Sequence, residues 1–521
     1  MTTWADVQEK IRHPGSRVLA EWRERRVIEA AERAAVGKTN ALLRQYAGAE
    51  FNRLTSDWTA TSTSADSEII GSLRALRDRS RQLIRDNETA KNAQRIVWQN
   101  VIGPGIGLQA QVKGADGKLI KAINDDIEGE WCEWAMPETC HVAGLLGFAD
   151  IEAWAWSQIF EAGEAIIRIV RQPFGGSRIP LGLELIEADR LMDQWQTARA
   201  PNGNLIRMGV EMDNWGRAVA YWFHPGHPGD YAFRSFEPAK FIRIPASDII
   251  HLYQVERWPQ TRGVPMLHAT IRRLRDMAGY SEAEIVAARA SANIVGFIKS
   301  EAGDEPEYRK REIDSAPGTF KQLLPGEDFV GFNPSRPNAA LEPFMRFMLR
   351  SVAAGVGISY ESLSKDFSQS NYSSSRLSLL EDRVMYRILQ GWTIRKLRLR
   401  LHLEFMDAAV LSGVLSIDDY YTRRRVYTKA RFKPRGWSWI DPQKEVNAYK
   451  MAVRGGFTTR AEVIAETGSG LDFEDVAQGL SDENALLLDL GLVVDTDPSQ
   501  VNDKGAEQPQ AGQTGDKKES E

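Results

Sequence analysis

The sequence predicts an α+β protein in which helices dominate, and three observations lead to this prediction. Apolar residues recur at helical spacing in residues 67–103 and in the long segments after Pro265. Between Gly107 and Tyr253, short alternating or β-branched runs separated by turn residues indicate strands. No run approaches the roughly 18 apolar residues that a membrane span needs, so we expect no membrane association.

The composition is that of a folded protein with several domains. The chain has 521 residues, of which 42% are hydrophobic and 26% are charged. Its net charge of −5 excludes a generally basic nucleic-acid coat but permits local basic faces. Two cysteines cannot form a disulfide framework, and the charged N-terminus lacks the apolar centre of a signal peptide. We therefore expect a reducing, cytoplasm-like compartment.

Residues 1–66 are predicted to form a charged helical arm followed by a polar linker. The stretch EWRERRVIEAAERA favours a helix, and Arg23, Arg26 and Arg33 lie near one another on its helical wheel. The polar stretch TSDWTATSTSADSE indicates a linker or an exposed arm.

One or two helices are predicted next, ending in a sharp turn at Gly103–Gly105. The apolar residues at helical spacing are Leu73, Leu76, Leu83, Ile84, Ile96 and Val97.

The strand-rich region contains one clear hairpin and a helical interlude. The letters DNWG, Asp213–Gly216, lie between two alternating runs, which predicts a hairpin with Gly216 at positive φ. The interlude, DDIEGEWCEWAM and GLLGFADIEAWAWSQIF, carries four tryptophans: Trp131, Trp134, Trp154 and Trp156. Tryptophans could stack on bases, but helical spacing favours packing in a core.

After Pro265 the pattern predicts a helix, a small insert and a second helix. The insert contains TFKQLL and FVGF, which are typical of short strands too small to form their own core. In the second helix Glu342, Arg346 and Arg350 follow at i, i+4 and i+8 and form one polar stripe, which must face water, a partner or a channel.

The C-terminal part reads as a polar loop, a long basic helix and a helical region. From Trp437 we predict a helix, a Gly-Gly turn and a second helix with Thr458 as its N-cap. The segment from Asp495 onward has few apolar residues, which predicts disorder.

Several patterns in the sequence have a catalytic or binding interpretation. The GPGIG at 103–107 follows a helix and lacks the GK[ST] ending of a phosphate loop, and the Cys140–His141 pair favours ordinary buried side chains. A nuclease centre would need more than the acidic cluster of LELIEADRL, for which a solvated strand end is the favoured interpretation. That cluster is Glu184, Glu187 and Asp189. We predict no catalytic, cofactor or metal site.

The basic helix leaves two interpretations open. Its arginines could bind nucleic acid, or they could form a solvated or interface face. They are Arg395, Arg398 and Arg400.

The order of these motifs resembles the lambda family of bacteriophage portal proteins. The resemblance spans roughly residues 40–480 and is carried by NVIGPGIGLQ, GVEMDNWGRAVAYWF, IIHLYQVERWPQTRGVPML, LPGEDFVGFNPSRPN, GVGISYESLSKDFSQSNYSSSRLSLLE and WSWIDPQKEVNAYKMAVRGGFTTRAEVIAETG. It implies a ring, normally of twelve copies, at one capsid vertex, through which double-stranded DNA is packaged and ejected without sequence preference. It also implies that the chain is not an enzyme and has no cofactor.

The resemblance divides the chain into a β-rich wing, a two-helix stem, a small αβ clip and a helical crown. The implied regions are: arm and linker 1–66, wing 67–258, first stem helix 259–299, clip 300–337, second stem helix 338–360, tunnel loop 361–374, long wing helix 375–417, crown 418–494 and disordered tail 495–521.

The resemblance also implies two sets of functional residues. The candidates for the DNA channel are Arg346, Arg350, Lys365, Ser368 and Asn371. The candidates for docking of the terminase motor or an adaptor on the clip are Phe320, Lys321, Phe329, Val330 and Phe332. The two arginines could instead pair with acids of neighbouring subunits, and the clip residues could instead join adjacent clips.

The implied partners are further copies of the chain, the terminase large subunit, the major capsid protein, a scaffold protein and a head-completion adaptor. The implied location is the portal vertex of the virion, with assembly in the host cytoplasm. Two other classes remain open from the residues alone: a DNA-processing enzyme of packaging, either a nuclease or an ATPase, and a monomeric nucleic-acid-binding adaptor.

Overall fold

A computed structural model describes residues 24–29, 53, 62–197, 200, 202–230, 241–293, 296–300, 327–331, 340–369, 371–437, 441–467, 473–492 and 494. The chain divides into two units, Met1–Thr63 and Ser64–Glu521. In the first unit residues 24–29 are helical, and Val27 and Ile28 are exposed. The rest of the predicted arm and the tail from Asp495 lie outside the described residues.

The second unit begins with three helices, α1 (Ala65–Ile70), α2 (Leu73–Asp86) and α3 (Glu88–Val101). The prediction of helices ending in a sharp turn is confirmed, since Gly103 and Gly105 both have positive φ. Asn87 separates α2 from α3 because its side chain accepts a hydrogen bond from the Ala90 amide at 2.9 Å.

The predicted linker extends too far along the chain. Helix α1 begins at Ala65, and Asp66 is buried instead of exposed. The Asp66 carboxylate accepts hydrogen bonds from the Thr261 amide at 2.8 Å and from the Thr261 hydroxyl at 2.7 Å. A polar residue is tolerated there because distant partners satisfy it.

The predicted strand region is confirmed. Its strands are β1 (Gly107–Ala110), β2 (Glu164–Val170), β3 (Gly182–Ile186), β4 (Leu205–Arg207), β5 (Val210–Met212), β6 (Ala218–Phe223), β7 (Ile242–Pro245) and β8 (Ile249–Tyr253). They form an antiparallel sheet in the order β3-β2-β8 and another in the order β4-β5-β6-β7. Gly216, in the hairpin between β5 and β6, has the expected positive φ of 76°.

The helical interlude supplies much of the core. Its helices are α4 (Lys121–Trp134), α5 (Pro137–Cys140) and α6 (Phe148–Ala162). The Trp131 ring lies 5.1 Å from the Trp134 ring and 5.0 Å from the Phe405 ring, centroid to centroid. The tryptophans therefore pack in the core, as predicted.

The second half of the chain is mostly helical. Its elements are α7 (Ile271–Asn293), β9 (Gly296–Ser300), β10 (Glu327–Gly331), α8 (Leu341–Val356), α9 (Tyr360–Ser364), α10 (Tyr372–Thr393), α11 (Leu399–Leu411), α12 (Tyr420–Tyr427), β11 (Ala430–Lys433), α13 (Pro442–Arg454), α14 (Arg460–Thr467) and α15 (Phe473–Asp489). A π-helical turn, Ile394–Arg398, joins α10 to α11. No helix among the described residues has both the length and the apolar character of a membrane span.

The first predicted stem helix is shorter than expected. It ends at Asn293, and β9 follows, paired antiparallel with β10. Phe297 and Ile298 favour a strand once a partner strand is available, because β propensity depends on pairing. The predicted FVGF strand lies in β10, whereas TFKQLL lies outside the described residues.

The predicted loop and long helix also have different limits. Residues 361–374 were expected to be loop, but α9 occupies the beginning of this range and α10 begins at Tyr372. The long helix, expected over 375–417, ends at Leu411. Local capping by Ser359 and Asn371 extends helical structure into the Ser-rich sequence.

The region 418–494 is not helical throughout. Strand β11 pairs with β1, with Lys433 opposite Gly107. This part of the chain therefore forms a two-stranded sheet with a strand from the N-terminal half. Further on, the N-cap of α14 is Thr459 instead of Thr458, since the Glu462 amide donates to the Thr459 hydroxyl at 3.2 Å.

Candidate channel loop and charge networks

The candidate channel residues lie where α8 passes through α9 into α10. Gly357 ends α8 with φ of 84°, and Ser359 then caps α9 by accepting a hydrogen bond from the Ser362 amide at 3.3 Å. Lys365 ends α9 in the left-handed region, with φ of 59°. A non-glycine residue in this conformation is uncommon, so the chain direction at Lys365 is set by its surroundings.

Helix α9 is fixed on both sides. The Asp382 carboxylate of α10 accepts hydrogen bonds from the Ser359 amide at 2.8 Å and from the Ser362 hydroxyl at 2.9 Å. On the other side the Asn92 side chain of α3 donates to the Leu363 carbonyl at 2.8 Å. Helix α9, from which the loop after Lys365 begins, is therefore held in place by hydrogen bonds to α3 and α10.

The loop itself is ordered by short-range hydrogen bonds. The Tyr360 hydroxyl donates to one Asp366 oxygen at 2.7 Å, and the Ser368 amide donates to the other at 3.0 Å. The hydrogen bonds from Ser368, followed by that from Tyr360, lower the pKa of Asp366 to about 2. Asn371 caps α10 by accepting from the Ser374 amide at 2.8 Å. Ser368 and Asn371 thus shape the backbone of this loop.

The two candidate arginines of α8 have partners within the same chain. Arg346 forms an ion pair with Glu342 one turn earlier on the same helix. The Arg350 guanidinium lies 5.4 Å from the centroid of the Tyr360 ring. Lys365, by contrast, is exposed.

An apolar stripe on α10 is exposed, which the sequence does not predict. Four exposed residues follow at spacings of three or four, which places them on one helical face. They are Leu377, Leu380, Val384 and Ile388, exposed by 67%, 43%, 57% and 63%. Tyr386 and Leu389 on another face are buried. The sequence does contain a signal for this stripe, because the apolar residues of α10 repeat at helical spacing on a second face, in addition to the face that is buried in the core.

Neither interpretation of the basic helix is correct for two of its three arginines. Arg398 is buried and donates to both oxygens of Glu152 at 2.6 Å. Arg400 donates to the backbone carbonyls of Ile249 and Ser247, both at 2.6 Å. These guanidinium groups join α11 and its preceding turn to the core, and Arg395 is exposed.

The acidic cluster is a solvated strand end only at Glu187, whose side chain is 46% exposed, whereas Asp189 is largely buried. Asp189 pairs with Arg81 at 2.6 Å and with Arg77 at 3.3 Å, and Glu187 also pairs with Arg81 at 3.1 Å. Glu184 pairs with Arg168 at 3.0 Å. Burial opposes ionisation of Asp189, but the charges of Arg77 and Arg81 outweigh it and lower its pKa.

His227 approaches this cluster, yet the donor set does not fit a metal-dependent nuclease. Its Nε2 lies 3.7 Å from Glu187 and 3.9 Å from Asp189. Its Nδ1 accepts a hydrogen bond from the Gly229 amide at 3.0 Å, so the neutral ring carries its proton on Nε2. That proton and the Arg81 guanidinium both face the carboxylates, where a cation would have to bind.

A second charge network is fully buried. Glu164 accepts hydrogen bonds from Arg77 at 3.1 Å, from His251 at 2.9 Å and from Arg262, whose side chain is 0% exposed. Burial would raise the pKa of Glu164, but the charge and hydrogen bonds of Arg262 hold it well below its usual range. The network joins α2, β2, β8 and the segment before α7.

The Cys140–His141 pair consists of buried side chains, as predicted. Cys140 is 0% exposed and His141 is 7% exposed. Burial raises the pKa of the Cys140 thiol to about 12, so it stays protonated at neutral pH and is a poor nucleophile.

The clip candidates are only partly described. Phe329 and Val330 lie in β10, opposite Ile298 and Phe297 of β9. Phe320, Lys321 and Phe332 lie outside the described residues.

Comparisons with known proteins agree on one family. The family described as phage portal protein, lambda family, matches residues 51–390. The chain is 30% identical over 469 residues to the probable portal protein of Halomonas phage phiHAP-1, covering 87% of this chain and 89% of that protein. It is 21% identical over 483 residues to portal protein B of Escherichia phage lambda, covering 83% and 89% respectively.

Solved structures are more distantly similar. The neck of a native GTA particle, computed with C12 symmetry, shares 15% identity with a TM-score of 0.45 and covers 74% of this chain and 93% of that chain. An HK97 family phage portal protein from Corynebacterium diphtheriae shares 12% identity with a TM-score of 0.29 and covers 75% and 99%.

Proposed function

The chain belongs to the lambda family of phage portal proteins, and from this premise we propose that its copies form a ring at one capsid vertex through which double-stranded DNA enters and leaves. Members of this family are structural proteins. We propose that the ring contains twelve copies, which is the normal number for the family. We assign it no catalytic step and no cofactor.

The apolar stripe of α10 is the observation that best supports a ring. Monomeric proteins rarely expose large contiguous apolar surface, and such surface marks an interaction site. Leu377, Leu380, Val384 and Ile388 span about 16 Å along the helix axis, at 1.5 Å per residue. We place this stripe against a neighbouring copy in the ring.

The channel is proposed to be lined by the segment from α8 to the start of α10. DNA of any sequence must pass, so phosphate contacts have to be few and weak, because each fixed cation adds affinity that resists movement. The exposed Lys365 supplies one mobile cation per copy, while Glu342 neutralises Arg346. Ser368 and Asn371, both exposed, add neutral polar surface.

The remaining partners follow from the family. We propose that the terminase large subunit or a head-completion adaptor docks on the clip, around Phe320, Lys321, Phe329, Val330 and Phe332. The major capsid protein and a scaffold protein surround the ring, and assembly occurs in the host cytoplasm before the ring becomes part of the virion.

Electron microscopy of the purified protein tests the ring and the stripe together. The unmodified protein should form particles with a central pore. The double substitution Leu380→Glu and Val384→Glu should abolish the pores while circular dichroism stays unchanged, because charges on the stripe oppose its burial. Leu411→Glu changes an exposed apolar residue outside the stripe (76% exposed) and should leave the rings intact. Compact particles without pores in the unmodified protein would refute the ring.

Charge reversal tests the channel. The substitution Lys365→Glu should leave ring assembly intact and change the amount of DNA packaged per particle. For Arg346→Glu with Arg350→Glu, normal rings with altered packaging support a role in the channel. Failed assembly of that variant would assign the two arginines to subunit interfaces instead.

A further inference from the structure

The C-terminal helices lack a core of their own. None of the described residues in α13, α14 or α15 is buried. Helix α11, in comparison, has five buried residues. Short helices owe most of their stability to burial of an apolar face, so these three helices need a further surface to pack against.

A groove between the three helices is suited to such packing. Its volume is about 1180 Å³, and apolar side chains from every helix line it: Val446, Val453, Val463, Ile464, Leu480 and Leu488. Three basic residues also line it, Lys450, Arg454 and Arg460. The groove therefore combines an apolar lining with positive charge.

The end of α15 has the complementary character. Leu486, Leu490 and Leu492 are exposed by 58%, 61% and 54%. Hydrogen bonds from the Leu490 amide to the Leu486 carbonyl at 3.0 Å and from the Leu492 amide to the Leu487 carbonyl at 2.9 Å fix this end. Helix α15 has no lysine or arginine, and three acids lie in its C-terminal half: Asp482, Glu483 and Asp489. We call this acidic, leucine-rich end the leucine knob.

One copy cannot place its own leucine knob in its own groove. Leu488 lines the groove, whereas Leu486, two residues earlier, lies roughly 200° away around the helix axis. Groove and knob are also different surfaces with opposite charge. A contact between two different surfaces repeats from copy to copy and generates a closed ring or a filament.

We propose that the leucine knob of one copy occupies the groove of the next copy, with its acids facing Lys450, Arg454 and Arg460. This inference rests on the proposed ring but concerns a contact separate from the α10 stripe. The contact would give the C-terminal helices the apolar core that one copy lacks.

Disulfide cross-linking of the full chain tests this contact. In a Cys132→Ser background, Val453→Cys is placed in the groove and Leu486→Cys on the knob. Oxidation of the double variant should give a ladder of covalent multimers on a denaturing gel without reductant. A mixture of the two single variants should give dimers and nothing larger. The matched control replaces Val453→Cys with Asn447→Cys, an exposed residue of α13 that does not line the groove, and should give no ladder.

The outcomes separate this contact from the ring. Absence of the ladder in a preparation that shows pores by electron microscopy overturns the contact and leaves the ring standing. A ladder in a preparation without pores supports the contact and refutes the ring. A fast-migrating monomer with an internal disulfide overturns the contact. So does a Val453→Cys thiol that is shielded from maleimide but never cross-links, since something other than the leucine knob then fills the groove.

Discussion

At the scale of single residues, buried arginines organise this protein. Arg77, Arg262 and Arg398 are 1%, 0% and 2% exposed, and each pairs with a buried carboxylate. A buried charge is costly unless it is paired and hydrogen-bonded. These pairs therefore fix which parts of the chain meet in the core, although sequence patterns assign arginine to the surface.

Removing one member of such a pair should be strongly destabilising. Glu152→Ala leaves the Arg398 guanidinium buried without its carboxylate, which we expect to cost about 3–5 kcal/mol of unfolding free energy. Urea denaturation of the unassembled chain measures the change. The double variant Glu152→Leu with Arg398→Met removes both charges and should cost less. Equal losses in the two variants would contradict this account.

The buried His402 should make stability depend on pH. Burial lowers its pKa from 6.5 to about 4. Between these values the unfolded chain binds more protons than the folded chain, so stability falls as pH decreases from about 6.5 to about 4. The contribution reaches roughly 3 kcal/mol. His402→Leu should lose this part of the pH dependence, and an unchanged slope in that variant would disprove the assignment.

At the scale of elements, the sequence predicts that a helix exists better than it predicts the residues at which the helix begins and ends. The apolar periodicity of α2, α3 and α6 was sufficient to predict these helices because it reflects burial of one face. The ends of α7 and α10 were wrong by several residues. Those ends depend on a strand partner in one case and on a capping side chain in the other.

The junction between α6 and β2 depends on glycine. Gly163 has φ of 90°, and a Cβ there would lie 2.4 Å from the Val264 carbonyl carbon. Gly163→Ala should therefore cost more than about 2 kcal/mol through strain and displacement of the backbone. Gly129→Ala, in the exposed interior of α4 with no atom within 4 Å, should stabilise by about 0.5–1 kcal/mol. Thermal unfolding compares them, and similar effects at both sites would contradict this reasoning.

At the scale of the whole molecule, the main core is complete before the C-terminal helices α13–α15 begin. Strand β11 pairs with β1, and Tyr420 and Tyr427 belong to the main core. The Trp437 indole donates to the Asn100 side chain at 3.0 Å. The main core therefore extends to about Trp437 and includes part of the range from residue 418 onward, which the resemblance assigns to the crown.

Truncation tests where the main core ends. A chain ending at Trp437 should keep the unfolding free energy of the full chain to within about 1 kcal/mol, because α13–α15 bury none of their described residues. A chain ending at Ile417 loses β11 and two core tyrosines, and we expect it to lose on the order of 5 kcal/mol and fail to fold. Denaturation of both proteins measures this, and equal stability would refute the boundary.

The candidate site was only partly accessible from the sequence. Helical spacing predicts that Glu342 and Arg346 lie on one face of α8, and their ion pair confirms this for these two residues of the predicted stripe. The partners of Arg398, Arg400 and Asp189 did not follow, since each lies more than a hundred residues away in the chain. The α10 stripe was overlooked because exposure is a property of the folded neighbourhood.

The sequence by itself determined the family, the α+β class and most elements of the second unit, because these depend on periodicity, turn residues and motif order within a short span of chain. Tertiary structure alone decided which charges are buried and where the main fold ends. It also decided which apolar faces of α10 and α15 remain exposed. Each of these depends on contacts between residues that are distant in the sequence, and a local pattern carries no information about such contacts.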